Sequence, residues 1–129
     1  MASLDTNCLL RWILGDLPDQ QRRVEQLLRT EESLVVEDIV LIEVVFVLER
    51  SAGLRRRTIQ DCLHAIMSES VHMERSIWNQ TMEIWVKHPK LSVVDVFLAV
   101  KAESQQDTPV YTFDAKMLSQ LSATAPVPA

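Results

Sequence analysis

The sequence predicts an α/β protein with a central, mostly parallel sheet of four to five short strands flanked by helices. Short apolar runs of β type alternate along the chain with longer segments whose apolar residues recur at helical spacing. Strands separated by helices require crossover connections, which make neighbouring strands parallel. The length of 129 residues and the hydrophobic fraction of 47% suit a single domain, residues 1–129, with a substantial core.

The N-terminal elements follow from helix-start and helix-stop signals. Gly15 ends a helix whose apolar residues share one side, and Pro18 suits the first turn of the next helix. Asp38 is placed to cap the helix that follows the second strand. In chain order we predict a strand at 2–4, helices at 8–14 and from 17 onward, a strand at 33–36, and helices at 39–50 and 58–67.

The C-terminal elements continue the same alternation. The tail at 123–129 is short and contains proline, so a final edge strand near Val127 is not expected. The predicted elements are a short strand at 71–73, helices at 77–86 and 92–103, a strand at 109–113, and a last helix that begins with Asp114 and runs to 121.

Composition excludes several classes of protein. Two glycines leave no Gly-rich phosphate-binding loop, which excludes NTPases, kinases and dinucleotide-dependent dehydrogenases. No apolar run approaches the roughly 18 residues of a membrane span, and the N-terminus lacks a signal-peptide pattern, so we expect a cytoplasmic protein with no membrane partner. Cys8 and Cys62 are expected to be reduced and packed as small hydrophobic side chains. The three histidines lack the spacing of a transition-metal site.

Four acids fall where a parallel α/β sheet binds ligands, which is the carboxyl end of its strands. Asp5 follows the first strand and Asp114 follows the strand at 109–113, so we expect both at one rim of the sheet. Asp95 lies in the first turn of its helix, and Glu43 lies in the first half of the helix after the second strand. All four acids are therefore expected to converge on that rim.

Three of these acids have a purely structural alternative. Asp5 and Asp114 can cap the helices that they precede, and Ser92 with Asp95 has the form of a capping box. Glu43 differs, because it lies in a helix that is apolar on almost every face, where we expect a buried carboxylate that needs a cation or a metal. An ion pair with an arginine is the structural alternative for Glu43.

Converging carboxylates favour a metal-dependent reaction on phosphodiesters. Neighbouring carboxylates raise one another's pKa, and a hard divalent cation relieves this repulsion. Oxygen ligands suit Mg²⁺ or Mn²⁺, which activate a water and neutralise charge on a scissile phosphate. The formal net charge of −5 opposes nucleic-acid binding, so a bound metal or a local basic patch has to offset it.

The triplet Asp5-Thr6-Asn7, Glu43 inside its apolar helix, Ser92-x-x-Asp95 and Thr112-x-Asp114 together resemble a PIN domain. More narrowly, the chain is similar over residues 5–121 to the VapC toxins of toxin–antitoxin pairs. The resemblance implies a three-layer α/β/α sandwich and cleavage of RNA that depends on Mg²⁺ or Mn²⁺. It implies that the catalytic and metal-binding residues are Asp5, Glu43, Asp95 and Asp114, supported by Thr6, Asn7 and Thr112.

The resemblance also implies two protein partners. Toxins of this kind bind a cognate antitoxin in an apolar groove between the early helices, and they commonly form homodimers. Two positions depart from the family pattern: Val96 stands where many relatives have alanine, and Met117 stands where an aromatic residue often follows the fourth acid. Neither departure removes an acid.

Basic residues near the acids are candidate RNA contacts. Arg11 follows Asp5 on the first helix, Lys116 follows Asp114, and Lys90 precedes the Asp95 helix. The run Arg55-Arg56-Arg57 is expected to be a solvated helix start. Trp78 and Trp85 share a helical face and are expected in the core or at a protein interface.

The leading hypothesis is a metal-dependent endoribonuclease that acts as the toxin of a toxin–antitoxin pair. A non-toxin RNA-processing nuclease and a non-catalytic PIN-like binding module are the alternatives, and the presence of all four acids opposes the second of these. A haloacid-dehalogenase-like phosphatase with Asp5 as nucleophile needs a second acid two positions later, where Asn7 stands.

Overall fold

The computed structural model describes all residues, Met1–Ala129, and divides them into two compact units, Met1–Glu74 and Arg75–Ala129. The chain forms seven α-helices, one π-helical segment and five short strands. Every strand pairing is parallel. The α/β fold class is therefore confirmed, and seven helices with parallel sheets are consistent with a PIN-like three-layer α/β/α fold.

The first unit contains a three-stranded sheet in the order β1-β2-β3. Ala2 pairs with Leu34, and Leu34 pairs with Val71. The elements are β1 (Ala2–Ser3), α1 (Thr6–Leu14), α2 (Pro18–Thr30), β2 (Leu34–Val35), α3 (Asp38–Phe46), a π-helical segment (Val47–Ser51), α4 (Arg56–Met67) and β3 (Val71–His72).

The helices of the first unit bury one apolar face each. Helix α1 packs against both α2 and α3, and it buries Leu9 and Leu10. Helix α4 buries residues at helical spacing, namely Ile59, Leu63 and Ile66. Burial of each such side chain contributes about 1.5–3 kcal/mol, so this apolar face rather than helix propensity stabilises the short elements.

Helix α3 differs from its prediction at both ends. Its N-cap residue is Glu37, which makes no side-chain cap bond, and Asp38 is the first helical residue rather than the cap. After Phe46 the chain widens into π-helical turns, in which the N–H of Ala52 donates to the carbonyl oxygen of Val47, five residues earlier, at 3.0 Å. Over five residues, the spacing of apolar side chains does not distinguish a π-helix from an α-helix. The sequence therefore predicted one continuous α-helix.

The second unit contains α5 (Arg75–Lys87), α6 (Val93–Ser104), β4 (Val110–Thr112), α7 (Ala115–Gln120) and β5 (Thr124–Pro126). Helices α5 and α6 pack against each other. Trp78 and Trp85 are fully buried, and the ring of Trp78 stacks on Phe97 with a centroid separation of 4.9 Å. The core interpretation of the two tryptophans is therefore the correct one.

The C-terminal strand β5 contradicts the prediction that the tail forms no strand. Val110 pairs with Thr124, and the N–H of Val110 donates to the carbonyl oxygen of Ala123 at 2.8 Å. Pro126 has no backbone N–H to donate to a neighbouring strand. It is tolerated because it is the last residue of β5 and because β5 is an edge strand, in which not every backbone N–H needs a partner. The strand ends at Pro126, before Val127.

No helix of the protein combines the length and the apolar character that crossing a membrane requires.

Gly15 provides a test of the α1 terminus. It has φ +62°, and a Cβ at this position would lie 2.9 Å from Nε2 of Gln21, which donates to the carbonyl oxygen of Trp12. We expect Gly15→Ala to lower the free energy of unfolding by more than the roughly 1–2 kcal/mol that left-handed backbone alone costs. Urea unfolding measures the change.

Gly53→Ala is the matched control, because Gly53 has φ +67° and no atom within 4 Å of its Cβ position. Its loss of stability should reflect only the cost of a left-handed backbone conformation at a residue with a Cβ. Equal losses of stability in the two variants would mean that the Gln21 contact does not fix the end of α1.

Candidate active site

Asp5 is the N-cap of α1. Its Oδ1 accepts a hydrogen bond from the N–H of Cys8 at 2.9 Å, and the side chain is exposed. The hydrogen bond from the Cys8 backbone lowers the pKa of the Asp5 carboxyl, because it stabilises the ionised form. Burial, followed by the proximity of Asp5, raises the pKa of the Cys8 thiol. Asp5 is therefore an ionised, accessible carboxylate at neutral pH.

Glu43 is exposed, and this overturns the expectation that its carboxylate is buried. It makes no ion pair with an arginine either. Helix α3 is apolar on its solvent side as well, since Ile39 is 67% exposed, so the apolar sequence around Glu43 did not indicate burial. The exposed carboxylate needs no partner for stability, but it is free to bind one.

Asp95 forms the predicted capping box at the start of α6. The N–H of Ser92 donates to Oδ2 of Asp95 at 3.1 Å, and the N–H of Asp95 donates to Oγ of Ser92 at 3.1 Å. This pair of bonds fixes the carboxylate and leaves its second oxygen, Oδ1, without a hydrogen-bond partner. A cap and a ligand role are therefore compatible in this residue.

Asp114 is the N-cap of α7, and Phe113 separates it from the last residue of β4, Thr112. Its Oδ1 accepts hydrogen bonds from the N–H groups of Lys116 at 2.8 Å and Met117 at 3.3 Å, while Oδ2 accepts none. The N–H of Asp114 donates to Oγ1 of Thr112 at 3.0 Å, so Thr112 holds the backbone of the acid in place. Met117, at the departure from the family pattern, is buried and accepts a hydrogen bond from Thr112 through its sulfur at 3.7 Å.

The oxygen atoms left open in these acids fit a hard divalent cation. Carboxylate oxygens are the ligands that Mg²⁺ and Mn²⁺ prefer, and no soft or nitrogen donor is required. Asp5 and Glu43 lie in the first unit, and Asp95 and Asp114 lie in the second. Neither unit by itself brings together three or more Asp, Glu, His or Cys side chains that could hold a metal ion. Strands β1 and β4 belong to different sheets, so convergence at one rim stays a prediction.

A groove of about 400 Å³ adjoins Asp5 between α1 and α2. Asn7, which was predicted to support the first acid, lines this groove, whereas Thr6 does not. Sequence reasoning missed the contribution of α2. The groove is lined by Asp5, Asn7, Cys8 and Arg11 on one side and by Gln20, Arg23, Val24 and Leu27 on the other.

The basic residues predicted to contact RNA differ in whether they already form ion pairs within the protein. Arg11 Nη1 pairs with Asp16 Oδ2 at 2.7 Å, but its Nε is buried without a partner. Lys90 and Lys116 are exposed. In the run at the start of α4, Arg56 pairs with Glu49 at 3.1 Å, while its two neighbours are exposed, as expected for a solvated helix start.

Comparison with known proteins identifies one family. The sequence profile described as PIN domain matches residues 2–122. No curated protein and no solved structure matches the chain. PIN domains are generally nucleases that use divalent metal ions and act on RNA.

Two variants of Asp5 separate its cap role from its charge. We expect Asp5→Ala to lower the free energy of unfolding by about 1 kcal/mol because α1 loses its cap, whereas Asp5→Asn keeps a cap acceptor and costs a few tenths. Urea unfolding at pH 7 measures both losses.

The charge of Asp5 adds a pH dependence with a defined sign. Its folded pKa lies below the ordinary value of 3.8, so its stabilisation is complete above that pH and is lost as the pH falls through the folded pKa. The stability gap between the native protein and Asp5→Asn should therefore narrow between pH 5 and pH 2 (roughly the range over which carboxyls titrate). A gap independent of pH would contradict the cap bond as the cause of the lowered pKa.

Proposed function

We propose that this chain, which belongs to the PIN domain family, is a metal-dependent endoribonuclease and the toxin of a toxin–antitoxin pair. The observation that carries the proposal is the family match over residues 2–122, which contains all four acids. The toxin role rests on the similarity of the acid motifs to those of VapC toxins. The substrate is an RNA phosphodiester, and the reaction is hydrolysis.

In the proposed site, Asp5, Glu43, Asp95 and Asp114 would hold Mg²⁺ or Mn²⁺. When bound, the cation supplies an acidified water and positive charge for the scissile phosphate. The helix caps orient three of the carboxylates, since each uses backbone N–H groups to fix at least one of its oxygens. Thr112 fixes the backbone of Asp114, and the side-chain amide of Asn7 is available beside Asp5 to orient a water or the substrate.

Exposed groups beside Asp114 support RNA as the substrate. Tyr111 and Phe113 are 58% and 88% exposed, and they are the exposed aromatic side chains of this chain. They are two residues apart, which places them on one face of an extended segment that flanks Thr112. Unpaired RNA bases stack on aromatic rings of this kind, and the Lys116 ammonium is available for a phosphate.

Apolar surface on the first unit supports an antitoxin partner. A groove of about 340 Å³ is lined by Trp12 and Ile13 of α1 and by four residues of α4, Thr58, Asp61, Cys62 and Ala65. Ile39 of α3 is also exposed. Apolar surface that a monomer leaves exposed is typical of protein–protein interfaces. In the proposal, an amphipathic antitoxin segment covers this surface.

The proposed homodimer has a candidate surface in the second unit. Val94 and Leu98 are 40% and 48% exposed, and they lie one turn apart on α6. Residues four apart occupy the same side of a helix, so the two side chains form one apolar strip.

The first test is cleavage of RNA by the purified protein. We expect cleavage with Mg²⁺ or Mn²⁺, none with EDTA, and a loss of at least about 100-fold in Asp5→Asn and Glu43→Gln, since each removes a ligand charge from the cation. Gel analysis of total RNA, with the cleavage sites mapped, measures the activity.

Glu37→Gln is the matched control, because Glu37 is an exposed glutamate beside α3 that has no cap bond and no proposed role. It should retain full activity. Absence of metal-dependent cleavage in the native protein would favour a non-catalytic binding module, and cleavage without toxicity in cells would favour an RNA-processing nuclease.

The antitoxin proposal has its own test in cells. We expect expression of the native protein to stop growth, and co-expression of a small protein encoded beside its gene to restore it. Ala65→Glu places a charge in the α1–α4 groove and should abolish this rescue while toxicity remains. His64→Glu is the control on the same helix, since His64 is exposed and does not line the groove. Rescue that survives Ala65→Glu would exclude this groove as the antitoxin site.

A further inference from the structure

Helix α2 presents one continuous face to the groove beside Asp5. Gln20, Arg23, Val24 and Leu27 lie at positions i, i+3, i+4 and i+7, which is the spacing of a single helix face. Val24 is buried and Leu27 is partly exposed, so they form an apolar surface between the two polar side chains. The volume of about 400 Å³ lies within the range of small-ligand sites.

The groove carries two arginines that differ in their pairing. Arg11 is held by Asp16 through Nη1, and its buried Nε has no hydrogen-bond partner. Arg23 is exposed and makes no ion pair, whereas its neighbour Arg22 pairs with Asp19 at 3.2 Å outside the groove lining. Two guanidinium groups therefore line the same groove as the Asp5 carboxylate, in a chain whose net charge is −5, and of the two only that of Arg23 has no carboxylate partner.

We propose that this α1–α2 groove binds one nucleotide of the RNA strand beside the scissile phosphate, with Arg23 as a phosphate-binding residue. The inference rests on the proposed function, because it assumes that Asp5 belongs to the cleavage site. A guanidinium binds phosphate oxygens through paired N–H donors. The apolar surface of Val24 and Leu27 accommodates a base, and the side-chain amides of Asn7 and Gln20 offer donors and acceptors to its edge.

Charge favours RNA over a protein segment as the occupant. Arg11 and Arg23 contribute two positive charges to the groove wall and Asp5 contributes one negative charge, while Asp16, which lies outside the lining, already pairs with Arg11 at 2.7 Å. A cation bound at Asp5 would offset that carboxylate and leave Arg23 as an uncompensated positive charge, which attracts a polyanion. The α1–α4 groove has no basic lining residue and one acid, Asp61, which makes the two grooves chemically distinct.

The test compares two adjacent arginines on α2. In an Asp114→Asn background, which leaves the strand uncleaved, the Kd for fluorescently labelled oligouridine and oligoadenosine RNA is measured by anisotropy over a range of salt concentrations. We expect Arg23→Gln to weaken binding about fivefold to tenfold and to reduce the salt slope by about 0.7, the value for one phosphate contact on a single strand.

Arg22→Gln removes the same charge from the same helix and should leave the Kd and the slope nearly unchanged, because Arg22 lies outside the groove lining. Arg23→Lys should recover the salt slope but only part of the affinity, since an ammonium lacks the guanidinium fork. Both positions are exposed, so neither substitution is expected to disturb folding. Equal effects of Arg23→Gln and Arg22→Gln would overturn the proposal.

Cleavage assays separate this inference from the proposed function. In the otherwise native protein, Arg23→Gln should raise KM with kcat unchanged, because the interaction is one of uniform binding. Arg23-dependent RNA binding without any cleavage would contradict the nuclease proposal and support the groove. If cleavage depends on the metal but Arg23→Gln leaves the RNA affinity unchanged, the groove is not an RNA site. The same conclusion follows if Arg23→Gln changes only the inhibition of the protein by a co-expressed partner.

Discussion

Backbone N–H groups at the start of a helix bind an aspartate carboxylate at three places in this chain. Asp5 begins α1, Asp95 closes the capping box of α6, and Asp114 begins α7. Each bond satisfies a donor that has no partner within the helix. The bonds at Asp95 and Asp114 leave one carboxylate oxygen without a partner. The same local interaction therefore specifies where helices begin and how the carboxylates of the proposed site are oriented.

Features encoded by adjacent residues were predictable from the sequence, and features that depend on solvent or distant partners were not. The end of α1 at Gly15 and the capping box of Ser92 and Asp95 were predicted correctly, because both are local patterns. The exposure of Glu43 was predicted wrongly, because an apolar helix sequence does not reveal whether every face is covered. Strand β5 was missed, since its pairing with β4 outweighs the propensity of a short, proline-containing tail.

The proposed site could be anticipated only in part. Each acid was identifiable from its position relative to a strand or helix, but convergence of the four depends on strands of two or three residues that carry little sequence signal. Gln20 and Arg23 were overlooked because they lie on α2, at least 15 residues after Asp5 in the sequence. Only the packing of α2 against α1 brings them to the same groove. The helical spacing of Gln20, Arg23, Val24 and Leu27 was nevertheless visible in the sequence.

The environment of Cys8 has a consequence for the redox behaviour of the groove. Its thiol lies beside the Asp5 carboxylate, and both burial and that negative charge raise its pKa. A thiol is a nucleophile, and a target for oxidants, mainly in its deprotonated form. Cys8 therefore remains protonated and slow to react at neutral pH, even though it lines an open groove. A groove with a cysteine in its wall is in this way protected against sulfenic acid formation, which would add bulk and polarity next to Asp5.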